Sequence, residues 1–318
     1  MGKRRAAYSH TKRSTSKTVK KRNKHRKRTS RKSRTYKKLN CSPYNTSNPS
    51  RRDSCFSTEN LTALKDAWNQ QHPENKITVN DPSKIWDELR TKYGTLCDKE
   101  SCWVSHLIHS SQLKHELMDS FAPRAPRSWK KNPNEWLSSI DILAVMKQHE
   151  KKYRCFEFMG PSPIDFDAET KTGNCVWREL CQFQLDEQIK QGKTKIGIIF
   201  NTDTHDKDGE HWISMFINIK KGQIFYFDSV GKPIPKQIKH FADRIIEQGS
   251  QMRPPIHFIL DQNYPVEHQY GNTECGMYAL YFIIHMLEDK VTAHYLKTHI
   301  IKDKYVHKFR KIYFNDDL

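Results

Sequence analysis

His211-Trp212, Phe225-Tyr226-Phe227-Asp228-Ser229 and Gln269-Tyr270-Gly271-Asn272-Thr273-Glu274-Cys275-Gly276 decide how this chain is read. An imidazole, a carboxylate, an amide and a thiol come in that order, with apolar strand-like runs between them. A thiol becomes a strong nucleophile as a thiolate, and a neighbouring His can hold that ion pair. The imidazole needs a third group to fix its tautomer and orientation, and Asp228 suits that role. Charge developing on a scissile carbonyl needs donors; the Gln269 side chain and the Cys275 backbone N–H can supply them. Cys275 also opens an apolar helical pattern (Met277, Leu280, Tyr281, Ile284, Leu287). A thiolate at a helix N-terminus is stabilised by the helix dipole. Residue types alone leave the alternative of an ordinary buried Cys and His open.

Around these residues the expected elements are strands at Ile196–Asn201, His211–Ile219, Gln223–Asp228 and Ile256–Leu260, with helices at 237–248, 275–288 and 303–313. A helix over 133–150 follows from Asn132 as cap and Pro133 at the first turn, with Trp136, Ile140, Leu143 and Ala144 on one face. Helices, a short sheet and more helices make the class α+β. Upstream, Ser57/Thr58 and Asp81-Pro82 read as helix starts, with Leu61, Leu64, Trp68 and then Ile85, Trp86, Leu89 as buried faces; Leu107, Leu113, Leu117 and Phe121 indicate one or two further short helices. Ala122–Pro126 (A-P-R-A-P) reads as a stiff extended linker.

The run I-G-I-I-F-N-T-D, then E-H-W-I-S-M-F-I-N-I, I-F-Y-F-D-S and H-Q-Y-G-N-T-E-C-G-M-Y resembles the Ulp1/adenain-type cysteine proteases. N-T-D before H-W, and Q-x-x-x-T-E-C-G, are most similar to the branch that processes core polyproteins in large DNA viruses. Trp136–Leu143 (W-L-S-S-I-D-I-L) resembles the segment that opens the SUMO-protease domain. The resemblance spans about residues 130–318, and a vaguer similarity reaches back toward residue 97. It implies a papain-like, Ulp1-like core, with His211 as base, Asp228 as orienter, Cys275 as nucleophile and Gln269 in the oxyanion hole. Where that viral branch carries Asn, this chain has Asp228, as SUMO proteases do. The resemblance also sets Trp136 and Trp212 on the walls of a narrow channel for small residues; a Trp following the base is otherwise a core aromatic. His268, beside Gln269, is the one further His expected near the site; His205, His240, His257, His285 and His294 read as surface or structural.

The formal net charge is +19, from 55 Lys+Arg against 36 Asp+Glu. Residues 1–40 hold 18 of those cations and no acid, so the rest of the chain is nearly neutral. The expected organisation is a basic disordered tail (1–55), a helical accessory arm (56–126) and a Ulp1-like protease domain (127–318). A run of cations is a solvated tail, an import signal or a non-specific nucleic-acid arm, the last through release of phosphate counterions. No apolar stretch suits a secretory signal or a membrane span. The eight Cys show no regular framework and read as reduced thiols of an intracellular compartment. No paired close-spaced ligand knuckles appear, and Asp203, Asp206 and Asp208 miss the calcium-loop spacing, so neither metal nor cofactor is expected.

The activity expected is that of a thiol endopeptidase cutting a viral structural polyprotein after a Gly-Gly-type motif during maturation, located in the virion and host cytoplasm. The alternatives are an isopeptidase acting on SUMO or another ubiquitin-like modifier, and a nucleic-acid-binding core protein relying on the tail.

Overall fold

A computed structural model describes residues 36–45 and 54–318. The arm is built from α1 (Thr58–Gln71), α2 (Pro82–Tyr93), α3 (Glu100–Leu107) and α4 (Ser111–Met118). Ser57 caps α1 through the Asn60 N–H, and Asp81 caps α2 through the Ser83 and Lys84 N–H groups, with Pro82 in the first turn. Leu61, Leu64, Ile85, Leu89, Trp103 and Val104 close a core of their own.

Next come α5 (Ser139–Lys152), β1 (Phe156–Pro163), the short α6 (Arg178–Cys181) and α7 (Leu185–Lys190), β2 (Lys195–Asn201), β3 (Trp212–Asn218), β4 (Gln223–Phe227), α8 (Lys236–Gln251) and β5 (Ile259–Gln262). The chain ends with α9 (Cys275–Leu287), α10 (Ala293–Thr298), α11 (Asp303–His307) and α12 (Arg310–Tyr313). The strands lie in the order β1-β2-β3-β4-β5, with the outer pairs parallel and the inner pairs antiparallel. Period-two alternation sends successive side chains to opposite faces. Phe156, Phe158, Ile199, Phe216, Phe225 and Phe227 pack under α5 and α9. Ile196, Ile198, Met215, Ile224 and Tyr226 pack under α8 with Ile238, Phe241 and Ile245. At Gly197 a Cβ would sit 2.7 Å from the Ile283 Cγ2 of α9, so the glycine lets that buried helix lie close on the sheet. The result is a mixed sheet flanked by helices, in the expected α+β class.

Several expectations are corrected. The helix expected over 133–150 begins at Ser139, because Ser138 and Asp141 form a capping box there. Its buried residues are Ile142, Val145 and Met146, while Trp136, Ile140 and Leu143 stay exposed at 45%, 76% and 37%. The single helix expected at 303–313 is two short ones, and β5 runs Ile259–Gln262 rather than Ile256–Leu260. β1 was not expected at all.

The tail expected to be disordered through residue 55 is ordered in part. Leu39, Cys55 and Phe56 are buried with the arm. Asn315 fixes this junction: its Nδ2 donates to the Asn40 and Ala122 carbonyls at 2.9 Å each, and its Oδ1 accepts the Asn40 N–H at 2.7 Å. The extended segment Ala122–Pro126 is therefore docked, with Ala125 donating to the Asn315 carbonyl at 2.9 Å. The cysteines also differ from the reduced thiols expected: Cys41–Cys55, Cys97–Cys102 and Cys175–Cys181 are paired, leaving Cys155 and Cys275 free. Residues 1–35, which carry most of the basic tail, lie outside the described residues. Among the described residues no helix is long and apolar enough to cross a membrane.

Candidate active site

β3 and β4 are antiparallel, with Ser214 opposite Phe227. That register places the residue entering β3, His211, beside the residue leaving β4, Asp228. His211 Nε2 lies 2.7 Å from Asp228 Oδ1, and the ring also interacts with the Cys275 side chain. Asp228 is 2% exposed. Its Oδ1 also accepts the Val230 N–H at 3.0 Å, and its backbone is clasped on both sides by the buried Asn263 amide, at 2.9 and 2.8 Å. The carboxylate is thus held by the Val230 N–H and the Asp228 backbone by Asn263, and the imidazole is held by the carboxylate.

Burial acts to lower the His211 pKa; hydrogen bonds to Asp228 and Cys275, and the negative charge of both, outweigh it and raise the pKa to about 9. The ring is an imidazolium at neutral pH, the state that pairs with a thiolate. Cys275 is buried and is the first residue of α9, whose apolar body anchors it in the core.

Gln269 is buried, and Ser229 sets its orientation. The Ser229 hydroxyl donates to Gln269 Oε1 at 2.7 Å, and the Ser229 carbonyl accepts the His268 and Gln269 N–H groups at 2.8 Å each. Gln269 Nε2 donates one proton to the Gly271 carbonyl at 2.8 Å, leaving its second proton for another acceptor. His268, expected near the site, adjoins Gln269 as a buried core residue. It is fully buried against Phe227, with Nδ1 accepting the Ile301 N–H at 3.1 Å, and burial lowers its pKa.

The two indoles are tied to the loops around the thiol. Trp136 Nε1 donates to the Asn272 carbonyl at 2.7 Å, and Trp212 Nε1 donates to the Leu137 carbonyl at 2.9 Å. At Gly276 a Cβ would meet Leu137 Cβ at 2.9 Å and Trp212 Cδ1 at 3.2 Å, so this glycine admits the wall against the start of α9. Beyond the wall runs a cleft of about 990 Å³ lined by Trp136, Ile140, Trp177, Glu210 and Trp212 among others. The exposed apolar side chains of Trp136 and Ile140 belong to that cleft.

A second layer lay outside the sequence reading. Glu274, just before the thiol, is buried and bonds Arg310 Nε through Oε2 at 3.0 Å and His307 Nδ1 through Oε1 at 3.0 Å. Arg310 also donates to the Glu135 and Thr273 carbonyls at 2.9 and 3.3 Å. Asp303 accepts the Tyr270 and Gly271 N–H groups at 3.1 and 2.9 Å, and the Tyr278 hydroxyl at 2.9 Å. The C-terminal helices therefore hold the 270–274 loop and the Trp136 wall as one unit. The only signal in the sequence was a set of charges in a segment otherwise read simply as a helix.

Residues 181–318 match the family model described as the Ulp1 protease family, C-terminal catalytic domain. Over that segment the chain is similar to the Ulp1-type cysteine protease domain. A protein of Acanthamoeba polyphaga mimivirus named as a thiol protease is 26% identical over 74% of this chain and 80% of its own length. A cysteine protease of African swine fever virus is 26% identical over 71% of this chain and 88% of its own length. The crystal structure of the African swine fever virus protease superposes with a TM-score of 0.60 at 22% identity, covering 88% of this chain and 97% of the other. That overlap extends well upstream of the matched domain, so the two share a fold across the arm as well.

Proposed function

We propose that this cysteine protease cleaves viral structural polyproteins on the carboxyl side of small residues, with Cys275 as nucleophile, His211 as base and acid, Asp228 as orienter and Gln269 as oxyanion donor. The observation that carries the reading is the Cys275–His211–Asp228 group, set behind a wall of two indoles tied to the neighbouring loops. The thiolate attacks the scissile carbonyl carbon, and the carbonyl oxygen takes the negative charge. The free N–H of Gln269 Nε2 and the Cys275 backbone N–H stabilise that oxygen. As the tetrahedral intermediate collapses, His211 Nδ1 gives its proton to the departing amine and a thioester remains. The neutral imidazole then takes a proton from water, which attacks the thioester. Release of the acid restores the thiolate–imidazolium pair.

Relatedness to proteases of mimivirus and African swine fever virus supports a viral setting, with action in the virion and the host cytoplasm. The basic tail adds a non-specific hold on nucleic acid, supported by the 18 cations of residues 1–40. A second reading, removal of a ubiquitin-like modifier, is favoured by one observation: the swine fever relative is also named a SUMO-1 cysteine protease. A panel of Gly-Gly and Ala-Ala peptides, set beside SUMO and ubiquitin fusions, tests the proposal. Cleavage of unstructured Gly-Gly peptides with little turnover of the fusions is expected. Turnover confined to the folded modifiers overturns it in favour of the second reading.

A further inference from the structure

α3 of the arm carries Cys102 and His106 four residues apart, and a four-residue step on a helix puts both side chains on one face. Cys97 reaches the same point from the preceding turn, where its N–H bonds the Tyr93 carbonyl at 2.8 Å. The two sulfurs and a His106 ring nitrogen all lie within 4.8 Å of one another. Cys97 is buried, Cys102 half-buried and His106 exposed, so the group opens to solvent on one side. In sequence Cys97 and Cys102 are spaced too widely for a C-x-x-C knuckle. The fold removes that objection by folding the turn back on the helix.

We propose that in the reduced chain Cys97, Cys102 and His106 bind a zinc-type divalent cation. The Cys97–Cys102 pair is joined in the structure, and a disulfide does not ligate. A dithiol reductant supplies two electrons and two protons, opens the S–S bond to two thiols and is itself oxidised to a disulfide. The cation then displaces both thiol protons and takes two thiolates and the neutral imidazole. Two zinc–sulfur bonds of about 2.3 Å at the tetrahedral angle separate the sulfurs by roughly 3.8 Å. Side-chain rotation supplies that separation, since the two Cα atoms already stand 5.6 Å apart. A set of two soft sulfurs and one imidazole selects zinc over magnesium or calcium. The fourth position, on the exposed side, is filled by water. Either state staples the Tyr93–Lys99 turn to α3, so reduction exchanges one cross-link for another. The proposal is independent of the proteolytic reading, because the ligands belong to the arm.

The test uses the full chain with Cys275→Ala, which removes the reactive thiol. The protein is reduced with a phosphine, stripped of metal and titrated with Co²⁺ under argon. One equivalent of cobalt is expected to give a thiolate charge-transfer band in the near ultraviolet and tetrahedral d–d bands in the visible, both bleached by equimolar zinc. His106→Ala should weaken cobalt binding by at least roughly tenfold, and Cys102→Ser should abolish the charge-transfer band. Cys41→Ser and Cys175→Ser should leave the spectrum unchanged. X-ray absorption on the zinc form should count two sulfurs; this reading stands even where Cys102→Ser fails to fold. Absence of the bands in the reduced parent protein, full binding in His106→Ala, or a sulfur count other than two overturns the proposal.

Discussion

Arg310→Met is the most informative single change outside the proposed catalytic group. Arg310 and Glu274 are each only 4% exposed, so the methionine leaves a carboxylate buried beside the nucleophile without its guanidinium. Breaking a buried pair in this way costs about 3–5 kcal/mol. His307 cannot replace it, since its side chain is 40% exposed and such a contact contributes little. At roughly 2–4 °C per kcal/mol for a chain near this size, the melting temperature should fall by about 6–20 °C. The Glu135 and Thr273 carbonyls lose their donor as well, which frees the Trp136 wall from the nucleophile loop. A displacement near 1 Å at the thiol can cost about 10²-fold, so kcat on a Gly-Gly peptide should drop by about 10–10²-fold at any temperature where the protein is folded. Adding Glu274→Gln removes the stranded charge. Arg310→Met/Glu274→Gln should therefore regain most of the lost melting temperature while kcat stays low. Thermal melts and steady-state kinetics on the three proteins decide this. An Arg310→Met melting point within about 2 °C of the parent, or a double variant no more stable than the single one, would refute the argument.

Cys275→Ala and His211→Ala should each abolish peptide cleavage while the thermal melt stays cooperative; turnover by either within about tenfold of the parent would remove it from the proposed catalytic pair. His211 keeps its proton to about pH 9 in the fold, against an ordinary value near 6.5. Its contribution to stability is therefore complete below about pH 6.5 and is lost as pH rises through about 9. Since Cys275 is one of the groups holding that pKa up, Cys275→Ala should move the His211 imidazole titration to lower pH, as followed by NMR; an unmoved titration would show that the sulfur does not face the ring. Gln269→Ala should lower kcat by about 10²–10³. A loss below threefold would place Gln269 outside the oxyanion hole. Gly→Ala just before the cleaved bond should cost about 1–3 kcal/mol, roughly tenfold or more in kcat/KM, and Trp212→Ala should narrow that gap. An unchanged gap with a lowered melting temperature would make Trp212 a core residue only.

The sheet was legible where side chains alternate between two buried faces. Ile224 and Tyr226 against Phe225 and Phe227 is such a case, and so is the Ile196–Phe200 run of β2. β1 escaped because F-E-F-M-G-P-S-P carries a glycine and two prolines, which weaken a strand pattern that parallel pairing with β2 nevertheless sustains, around an irregularity between Met159 and Ser162. The start of α5 was misplaced because Asn132-Pro133 satisfies a local rule for helix entry. Ser138 and Asp141 satisfy a stronger one, and the choice between them turns on which side chains find a core. Ile142, Val145 and Met146 find it, whereas Trp136 and Ile140 are left for the cleft. Long-range polar contacts were not legible. Nothing near residue 310 announces that its guanidinium closes over residues 135 and 273, because a charge pattern carries no distance information.

The order of the four polar groups along the chain has a geometric cause. An antiparallel pair brings the start of one strand beside the end of the next, so a base entering β3 and a carboxylate leaving β4 meet at a single sheet edge. β5 runs parallel to β4 and so ends at that edge too, and the connection from it reaches Gln269 before α9 begins. α9 can then present its first residue there only if its whole length is apolar enough to lie against the sheet. All of its residues from Cys275 to Leu287 are buried. The thiol's position is therefore fixed by the burial of the whole of α9, and that of the imidazole by the register of two strands. What neither fixes is the 269–274 loop between them, which carries the amide donor and the carbonyl that holds Trp136. Asp303 and Arg310 bind that loop from the C-terminal helices, so the last fifteen or so residues of the chain belong to the site as much as the strands do. A chain cut before Asp303 should keep the His211–Asp228 contact yet lose the loop. Normal His211 titration with collapsed peptide turnover in that truncation is the expected signature; retained turnover would mean the loop holds itself.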